Sequence, residues 1–248
     1  MSAFISARFQ DSVQLFADGA AYDHSGAVTS FEDKIRASRR APVAVAVRGA
    51  SGKALRHADM ICDFADEFGV EVLIDGLLGQ YDTSLKARRF FKGDDEAGFD
   101  FAIALWHPQR GPMHYRLHSY HGIPAFAPFV LHELGDVVAC GAVFDPQTLF
   151  QLGLLPVVGD PTAWARTKGV EIMELMRGRL GEPLPGDTIA KAYRIGGHVD
   201  LATVTAAGVK LRRVRLWNDK IGELIDPYKQ QAAIGSRKER RAAKRRAA

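Results

Sequence analysis

A serine at the start of the chain could act as a nucleophile with its own backbone amine as the base. Ser2 follows Met1, and because serine is small we expect Met1 to be removed in the cell. The α-amine exposed in this way has a reference pKa of about 7.7–8.0, so it can accept a proton near neutral pH. The hydroxyl and amine of one residue then form a nucleophile–base pair that can attack a carbonyl carbon.

Such a pair also needs a nearby cation to lower the pKa of the amine, and a carboxylate to hold that cation. Asp18 lies 16 residues after Ser2, and Lys34 lies 32 residues after it. If residues 2–19 form a hairpin, the end of its second strand returns beside its start, which places Asp18 near Ser2. Taken alone, Asp18 also fits a turn at a strand end, and Lys34 also fits a solvated surface charge.

The spacing of apolar residues predicts strands at the beginning, middle and end of the chain, with helices between them. Runs typical of strands occur at 2–9, 12–19, 26–35, 41–49, 99–107, 113–121, 126–133, 136–144 and 198–217. Helical spacing occurs at 51–69, within 70–92 and at 162–180. This order lacks the steady strand–helix alternation of a parallel α/β protein. It indicates antiparallel sheets with separate helices, in one domain at 1–226 followed by a tail at 227–248.

Five segments carry a resemblance to a known family. They are "LFADGAAYDHSG" (15–26), "DKI" (33–35), "VAVAVRG" (43–49), "CGA" (140–142) and "IGGHVDLATVT" (195–205). With the spacing of Ser2, Asp18 and Lys34, the chain resembles the proteasome-type N-terminal-nucleophile hydrolases, which include the proteasome β subunits and their bacterial relatives. The resemblance in element order covers roughly residues 2–220. It implies an α+β fold, a four-layer αββα sandwich of two antiparallel sheets.

The resemblance also implies a function and a set of roles. The chain would cleave peptide or amide bonds, with Ser2 as nucleophile, Lys34 as the tuning cation and Asp18 as its partner. The backbone N–H of Gly49 or a neighbour would stabilise the oxyanion. The family assembles as rings or open spirals, so we expect a homo-oligomer that acts on a peptide substrate without a cofactor; an ATPase partner is left open.

Two departures from the family pattern favour an alternative function. The usual nucleophile is threonine, where this chain has Ser2. The family also has an Asp and a Ser just before its late Gly-Gly, whereas "IAKAYRIGG" (189–197) contains neither, and Cys140 stands where a further supporting Ser is expected. The alternative is a catalytically inactive, proteasome-like structural or assembly protein.

The charge of the chain is concentrated in its last thirteen residues. Segment 236–248, "SRKERRAAKRRAA", has seven Lys or Arg and one Glu, a net charge of +6. The rest of the chain has 26 basic and 28 acidic residues, a net charge of −2. A basic tail can contact nucleic acid or an acidic partner, and it can equally be a solvated segment with no partner.

The remaining composition predicts a cytoplasmic protein without a metal site. The two cysteines, Cys62 and Cys140, are too few for a disulfide framework, and no apolar run is long enough to cross a membrane. No secretory signal is evident. A metal hypothesis arises from His114, His118 and His121, with His132 and Glu133 nearby. On one strand His121 would point away from the other two, so we predict no metal centre.

Overall fold

The computed structural model describes residues 2–49, 51–78, 98–120, 123, 126–141, 146–151, 153, 155, 158–181 and 192–229. The strands are β1 (Phe4–Arg8), β2 (Val13–Asp18), β3 (Ala20–Tyr22), β4 (Val28–Phe31), β5 (Ile35–Ala37), β6 (Val43–Gly49), β7 (Phe99–His107), β8 (Gly111–His118), β9 (His132–Glu133), β10 (Val137–Cys140), β11 (His198–Thr205) and β12 (Gly208–Leu216). The helices are α1 (Ser51–Leu78), α2 (Pro146–Gln151), α3 (Pro161–Trp164) and α4 (Val170–Arg177), with a π-helical turn, Ala165–Gly169, joining the last two.

The predicted N-terminal hairpin is the centre of the first sheet. Strands β1 and β2 pair antiparallel with Phe4 opposite Ala17, so the chain returns to its starting point at Asp18. The strand order is β10-β1-β2-β11-β12, and Asp18 pairs with Val199 of β11. The hairpin is therefore held on both sides by strands from far along the chain.

The second five-stranded sheet has the order β5-β6-β7-β8-β9, and β3 and β4 form a separate two-stranded sheet. All the strand pairs are antiparallel. The predicted strands at 41–49 and 99–107 are confirmed as β6 and β7. The predicted extended piece at 26–35 is divided between β4 and β5, which belong to different sheets.

Apolar side chains cover both faces of each five-stranded sheet. Alanines of β6 and β7 pack against β1, β2 and β11 in one cluster between the two sheets. The opposite face of the second sheet packs against α1. The opposite face of the first sheet packs against α3, the π-helical turn and α4. This explains the nearly continuous apolar runs of the sequence, since strands buried on both faces do not alternate.

The prediction of an α+β fold with a four-layer αββα sandwich is wrong. The described residues are mostly β, with twelve strands in three antiparallel sheets and few helices. That expectation came from the family resemblance, whereas the sequence pattern itself indicated antiparallel sheets with separate helices. Instead β3 and β4, which are joined by a turn at 23–27, form a third sheet of their own. Beyond α1, the described helical structure consists of α2 and of one continuous stretch at 161–177. None of the described helices is long and apolar enough to span a membrane.

The helix predicted at 51–69 ends where the glycine signal placed its end. Gly69 has φ 86° and ψ 167°, which breaks α1 into two helical stretches. A positive φ is readily adopted by glycine, because glycine has no Cβ. The second predicted helix, within 70–92, is confirmed as far as Leu78, and residues 79–92 lie outside the described part of the chain. The predicted boundary of the tail at 227 remains a prediction.

A buried carboxylate with two guanidinium partners joins three strands of the second sheet. Asp100 is fully buried on β7. It accepts a hydrogen bond from Arg48 Nη1 at 2.8 Å and two from Arg116, through Nε and Nη2, both at 2.9 Å. The Arg48 guanidinium also lies over the Phe4 ring, 5.8 Å from its centroid. This group links the end of β6 to the start of β1 across the space between the sheets.

Replacing Asp100 with Asn should destabilise the protein strongly. Two buried guanidinium groups would lose the charged carboxylate that they share, and breaking a buried ion pair costs about 3–5 kcal/mol. The matched control is Glu133→Gln, which removes the exposed pair with Arg110 at 2.8 Å and should cost less than about 1 kcal/mol. Urea unfolding of both variants measures the difference; equal small losses would contradict the importance of the buried group.

Candidate active site

The structure brings Ser2, Asp18 and Lys34 into direct contact. The Lys34 Nζ donates to Ser2 Oγ at 2.6 Å and to Asp18 Oδ2 at 3.4 Å. It also donates to the carbonyl oxygen of Ala20. All three side chains are buried, with residue exposures of 7%, 1% and 4%. The three N–H bonds of an ammonium group therefore have three oxygen acceptors.

Each of the three residues is positioned by a different strand. Ser2 lies two residues before the start of β1, Asp18 is the last residue of β2, and Lys34 directly precedes β5. The backbone N–H of Val47 in β6 donates to the Lys34 carbonyl at 3.0 Å, which ties Lys34 to the second sheet. The site therefore lies where the ends of both sheets meet.

Asp18 is the most highly coordinated of the three side chains. Its Oδ1 accepts from the N–H of Ala3 at 2.8 Å. Its Oδ2 accepts from the N–H groups of Ala20 and Gly196, both at 3.3 Å. Three backbone donors and one lysine stabilise the ionised carboxylate, as a buried charge requires.

Burial changes the acidity of the lysine. Removal from water lowers the pKa of Lys34, because the charged form loses its hydration, while the Asp18 carboxylate acts in the opposite direction. The ammonium group is thus easier to deprotonate than a surface lysine, and Asp18 opposes that change. The Lys34 amine therefore lies in hydrogen-bond contact with the Ser2 hydroxyl, where its charge acts directly on that oxygen.

The fourth predicted residue, Gly49, lies at the end of β6 rather than within this hydrogen-bonded group. Its φ is 121°, and a Cβ placed there would lie 2.2 Å from the Gly98 carbonyl oxygen. Both facts require glycine. Among the described residues, no hydrogen bond joins Gly49 to Ser2, Asp18 or Lys34. Its connection to the site is through β6, which reaches Lys34 at Val47.

A buried ion pair behind the site was not anticipated from the sequence. Arg177 at the end of α4 forms two hydrogen bonds to Asp219, at 2.8 and 2.6 Å. Arg177 also donates to the Ile195 carbonyl at 2.6 Å, and Asp219 accepts from the Gly197 N–H at 2.8 Å. The pair fixes the loop in which Gly196 donates to Asp18. Only the Gly-Gly at 196–197 gave a sequence signal; nothing marked Arg177 or Asp219.

Among the described residues, the histidines considered as metal ligands do not form a group that could bind one metal ion. His114 Nε2 contacts the Gly135 carbonyl oxygen, which can only accept, so Nε2 carries the hydrogen. His114 Nδ1 then accepts from the Ser6 hydroxyl at 2.8 Å. His118 stacks on His132, with ring centroids 6.4 Å apart. His121 lies outside the described residues.

A different group has atoms close enough to bind a metal ion, but it already holds a cation. Asp33, His198 and Asp200 have possible ligand atoms within 4.8 Å of one another. The Arg213 guanidinium donates to Asp33 at 2.7 Å and to Asp200 at 2.9 Å, and its Nη2 lies 3.1 Å from His198 Nε2. Arg213 thus occupies the position and supplies the charge that a metal would.

Cys140, which stands where the family has a supporting serine, is also buried. Burial raises the pKa of its thiol to about 11, so the thiol is protonated at neutral pH. It lies on β10 opposite Phe4 of β1. In this state it is a small apolar group at the edge of the inter-sheet cluster.

Replacing Asp18 with Asn should lower the pKa of Lys34 further, because the charge that opposes the effect of burial is removed. The measurement is a pH titration of the lysine side-chain carbons by NMR, with Lys34 assigned from a Lys34→Arg variant. The matched control is Asp33→Asn, which changes a carboxylate next to Lys34 in sequence that pairs with Arg213 instead. An unchanged Lys34 pKa in the Asp18 variant would show that the contact is not electrostatically significant.

Acid should destabilise the fold through His114. Burial lowers the pKa of this imidazole to about 4, against about 6.5 in an unfolded chain. Between these values the unfolded chain binds the extra proton, so stability falls as pH is lowered. From about pH 7 to about pH 5 we expect His114→Gln to lose less stability than the wild type, by roughly 2 kcal/mol. Urea unfolding at both pH values tests this, and equal slopes would contradict it.

The chain has no match among protein-family models, and none among curated proteins. The interpretation of the site therefore depends on the contacts of its own residues. Those contacts are a buried lysine held between a serine hydroxyl and a carboxylate, at the point where two sheets meet.

Proposed function

We propose that the protein is an N-terminal-nucleophile hydrolase that cleaves peptide or amide bonds with Ser2 after removal of Met1. The observation that carries this proposal is the contact of the buried Lys34 Nζ with both Ser2 Oγ, at 2.6 Å, and Asp18 Oδ2, at 3.4 Å. A cation this close to a hydroxyl stabilises the developing alkoxide during attack. The proteasome-type family remains the proposed relationship.

The proposed reaction has two steps. In the first, Ser2 Oγ forms a bond to the carbonyl carbon while its proton passes to the Ser2 α-amine. The resulting oxyanion collapses, the carbon–nitrogen bond breaks, and the leaving amine takes the proton from the α-ammonium. In the second step, water attacks the ester with the same amine as base, which releases the acid and restores Ser2.

Lys34 has two proposed roles in these steps. Its positive charge disfavours protonation of the neighbouring α-amine, so the amine stays available as a base. Its N–H groups also hold Ser2 Oγ, Asp18 and the Ala20 carbonyl in one arrangement. Asp18 keeps the lysine charged despite its burial. We propose the Gly49 N–H as an oxyanion donor, since Gly49 ends the strand that binds Lys34.

A second candidate function is a non-catalytic structural or assembly protein. Two observations favour it. Cys140, in the place of a supporting serine, is a buried thiol with a pKa raised to about 11, and segment 189–197 has no Asp or Ser. If Met1 is retained, the Ser2 nitrogen is an amide and cannot act as a base, so this second function would then apply.

Purified full-length protein should lack Met1, and Ser2→Ala should abolish hydrolysis. Intact mass and N-terminal sequencing test the first expectation. For the second, loss of a nucleophile typically lowers activity by a factor of about 10³ or more. The assay combines a panel of fluorogenic peptides with covalent labelling by a β-lactone, followed by mass analysis of the N-terminal peptide.

Two control variants separate chemistry from folding. Ser2→Thr retains a hydroxyl beside the α-amine and should keep measurable activity. Ser25→Ala changes an exposed serine in a surface turn, whose hydroxyl donates to Asp23 and accepts from the Ala27 N–H, and it should leave hydrolysis and labelling unchanged. Retention of Met1 in the wild-type protein would support the non-catalytic function instead. So would covalent labelling of the Ser2→Ala variant to the same extent as the wild type.

We further propose a cytoplasmic location and a homo-oligomer for the protein. The reduced, unpaired state of Cys62 and Cys140 supports the first proposal. The family resemblance supports the second, with a ring or spiral as its form. A peptide is the proposed substrate, and an ATPase partner is left open.

A further inference from the structure

One face of α1 presents large apolar side chains to solvent. Met60, Phe68 and Val72 are 44%, 49% and 47% exposed. The Phe64 ring packs on Phe68 with 4.6 Å between centroids. The four positions are spaced four residues apart, so within each helical stretch they lie on one side. We call this surface the α1 face.

Carboxylates border this apolar stripe. Asp63, Glu67, Glu71 and Asp75 are exposed, and within the described part of the chain they form no salt bridge. The two other acids of α1 are engaged elsewhere. Asp59 pairs with Arg36 at 3.0 Å, and the Asp66 carboxylate accepts the N–H groups of residues 39–41. The α1 face is therefore both apolar and negatively charged.

The same chain carries a segment of complementary charge. Segment 236–248 has a net charge of +6, and arginines recur four residues apart at Arg237, Arg241 and Arg245. The long aliphatic stems of arginine can also cover apolar surface while the guanidinium stays in water. This combination matches an apolar stripe bordered by carboxylates.

The position at which the described chain ends indicates which copy supplies the segment. The Tyr228 hydroxyl donates to the Gly178 carbonyl at 2.8 Å, directly after α4. Helix α4 packs on the first sheet, whereas α1 packs on the second. Crossing from one helix to the other spans about 30 Å, since each packed layer is about 10 Å thick.

The six residues 230–235 between the described end and Ser236 extend at most about 21 Å. They cannot carry the start of the basic segment around both sheets to the α1 face of the same copy. A neighbouring molecule has no such restriction. Within one copy, a path of about 30 Å would also take up about three residues of the basic segment, so its full length is available only to the α1 face of another copy.

We propose that the α1 face of one molecule binds the basic segment 236–248 of a second copy. This inference is independent of the proposed hydrolysis. The two surfaces that meet are different, so the contact is heterologous. Repetition of a heterologous contact produces a closed ring or an open helical array. In such an assembly, each molecule would bind one neighbour through its α1 face and another through its segment 236–248.

The test uses three full-length double variants that each change the net charge by four units, the α1 variant and the control upward and the tail variant downward. The first, Glu67→Lys with Glu71→Lys, reverses charge on the α1 face. The second, Arg241→Glu with Arg245→Glu, reverses charge on the tail. The control, Asp11→Lys with Glu171→Lys, changes exposed acids elsewhere. Sedimentation velocity over a range of concentrations, at salt of about 50 mM and about 500 mM, measures assembly of the 27.2 kDa chain.

We expect the wild type and the control to assemble at low salt and to dissociate at high salt. Each reversal alone should weaken assembly at least tenfold, and combining the two reversals should restore it. A wild type that stays monomeric at low salt, or an α1 reversal that leaves assembly unchanged, would overturn the proposal. So would failure of the combined variant to assemble, or assemblies that contain nucleic acid and disperse with nuclease. Equal thermal unfolding of the variants establishes that the fold is intact.

Discussion

The burial of one lysine constrains the centre of this structure. An ammonium group without water must find oxygen acceptors and a compensating charge. Lys34 has these in Ser2 Oγ, the Ala20 carbonyl and Asp18. Asp18 in turn needs donors, which the backbone supplies from Ala3, Ala20 and Gly196. The hydrogen bonds that the Lys34 charge requires thus fix the relative positions of four separate parts of the chain, at residues 2–3, 18–20, 34 and 196.

The close approach of these parts requires residues without side chains. A Cβ at Gly19 would lie 2.2 Å from the His198 ring, and one at Gly196 would lie 2.6 Å from Asp219 Oδ2. The Arg177–Asp219 pair then prevents this glycine loop from moving away, since it binds the loop at both Ile195 and Gly197. Small residues provide the space and a buried ion pair provides the restraint.

Local signals in the sequence were sufficient for the hairpin and for the closeness of Ser2 and Asp18, whereas Lys34 was singled out by its match to the family's spacing. A hairpin fixes the distance between its ends, so the spacing of Ser2 and Asp18 had a direct geometric meaning. The sheet arrangement was not predictable in this way. Whether residues 26–35 form one strand or two depends on partners elsewhere, and here β4 pairs with β3 while β5 pairs with β6.

Contacts between residues far apart in the sequence could not be predicted from the sequence pattern either. Arg177 and Asp219 are 42 residues apart, and neither belongs to a motif. Asp100 with its two arginines is similar, because three charged residues within strands give no periodic signal of burial. The four-layer arrangement, expected from the family resemblance, was wrong for a related reason: apolar spacing indicates where a helix lies but not how helices and sheets are layered.

The donors to Asp18 come from residues 15, 2 and 178 positions away along the chain. Ala3 and Ala20 are available as soon as the first hairpin has been synthesised, whereas Gly196 is added 178 residues after Asp18. The environment of Lys34 is consequently incomplete in any shorter nascent chain. The serine is thus synthesised well before the residue that completes the hydrogen bonding of Asp18.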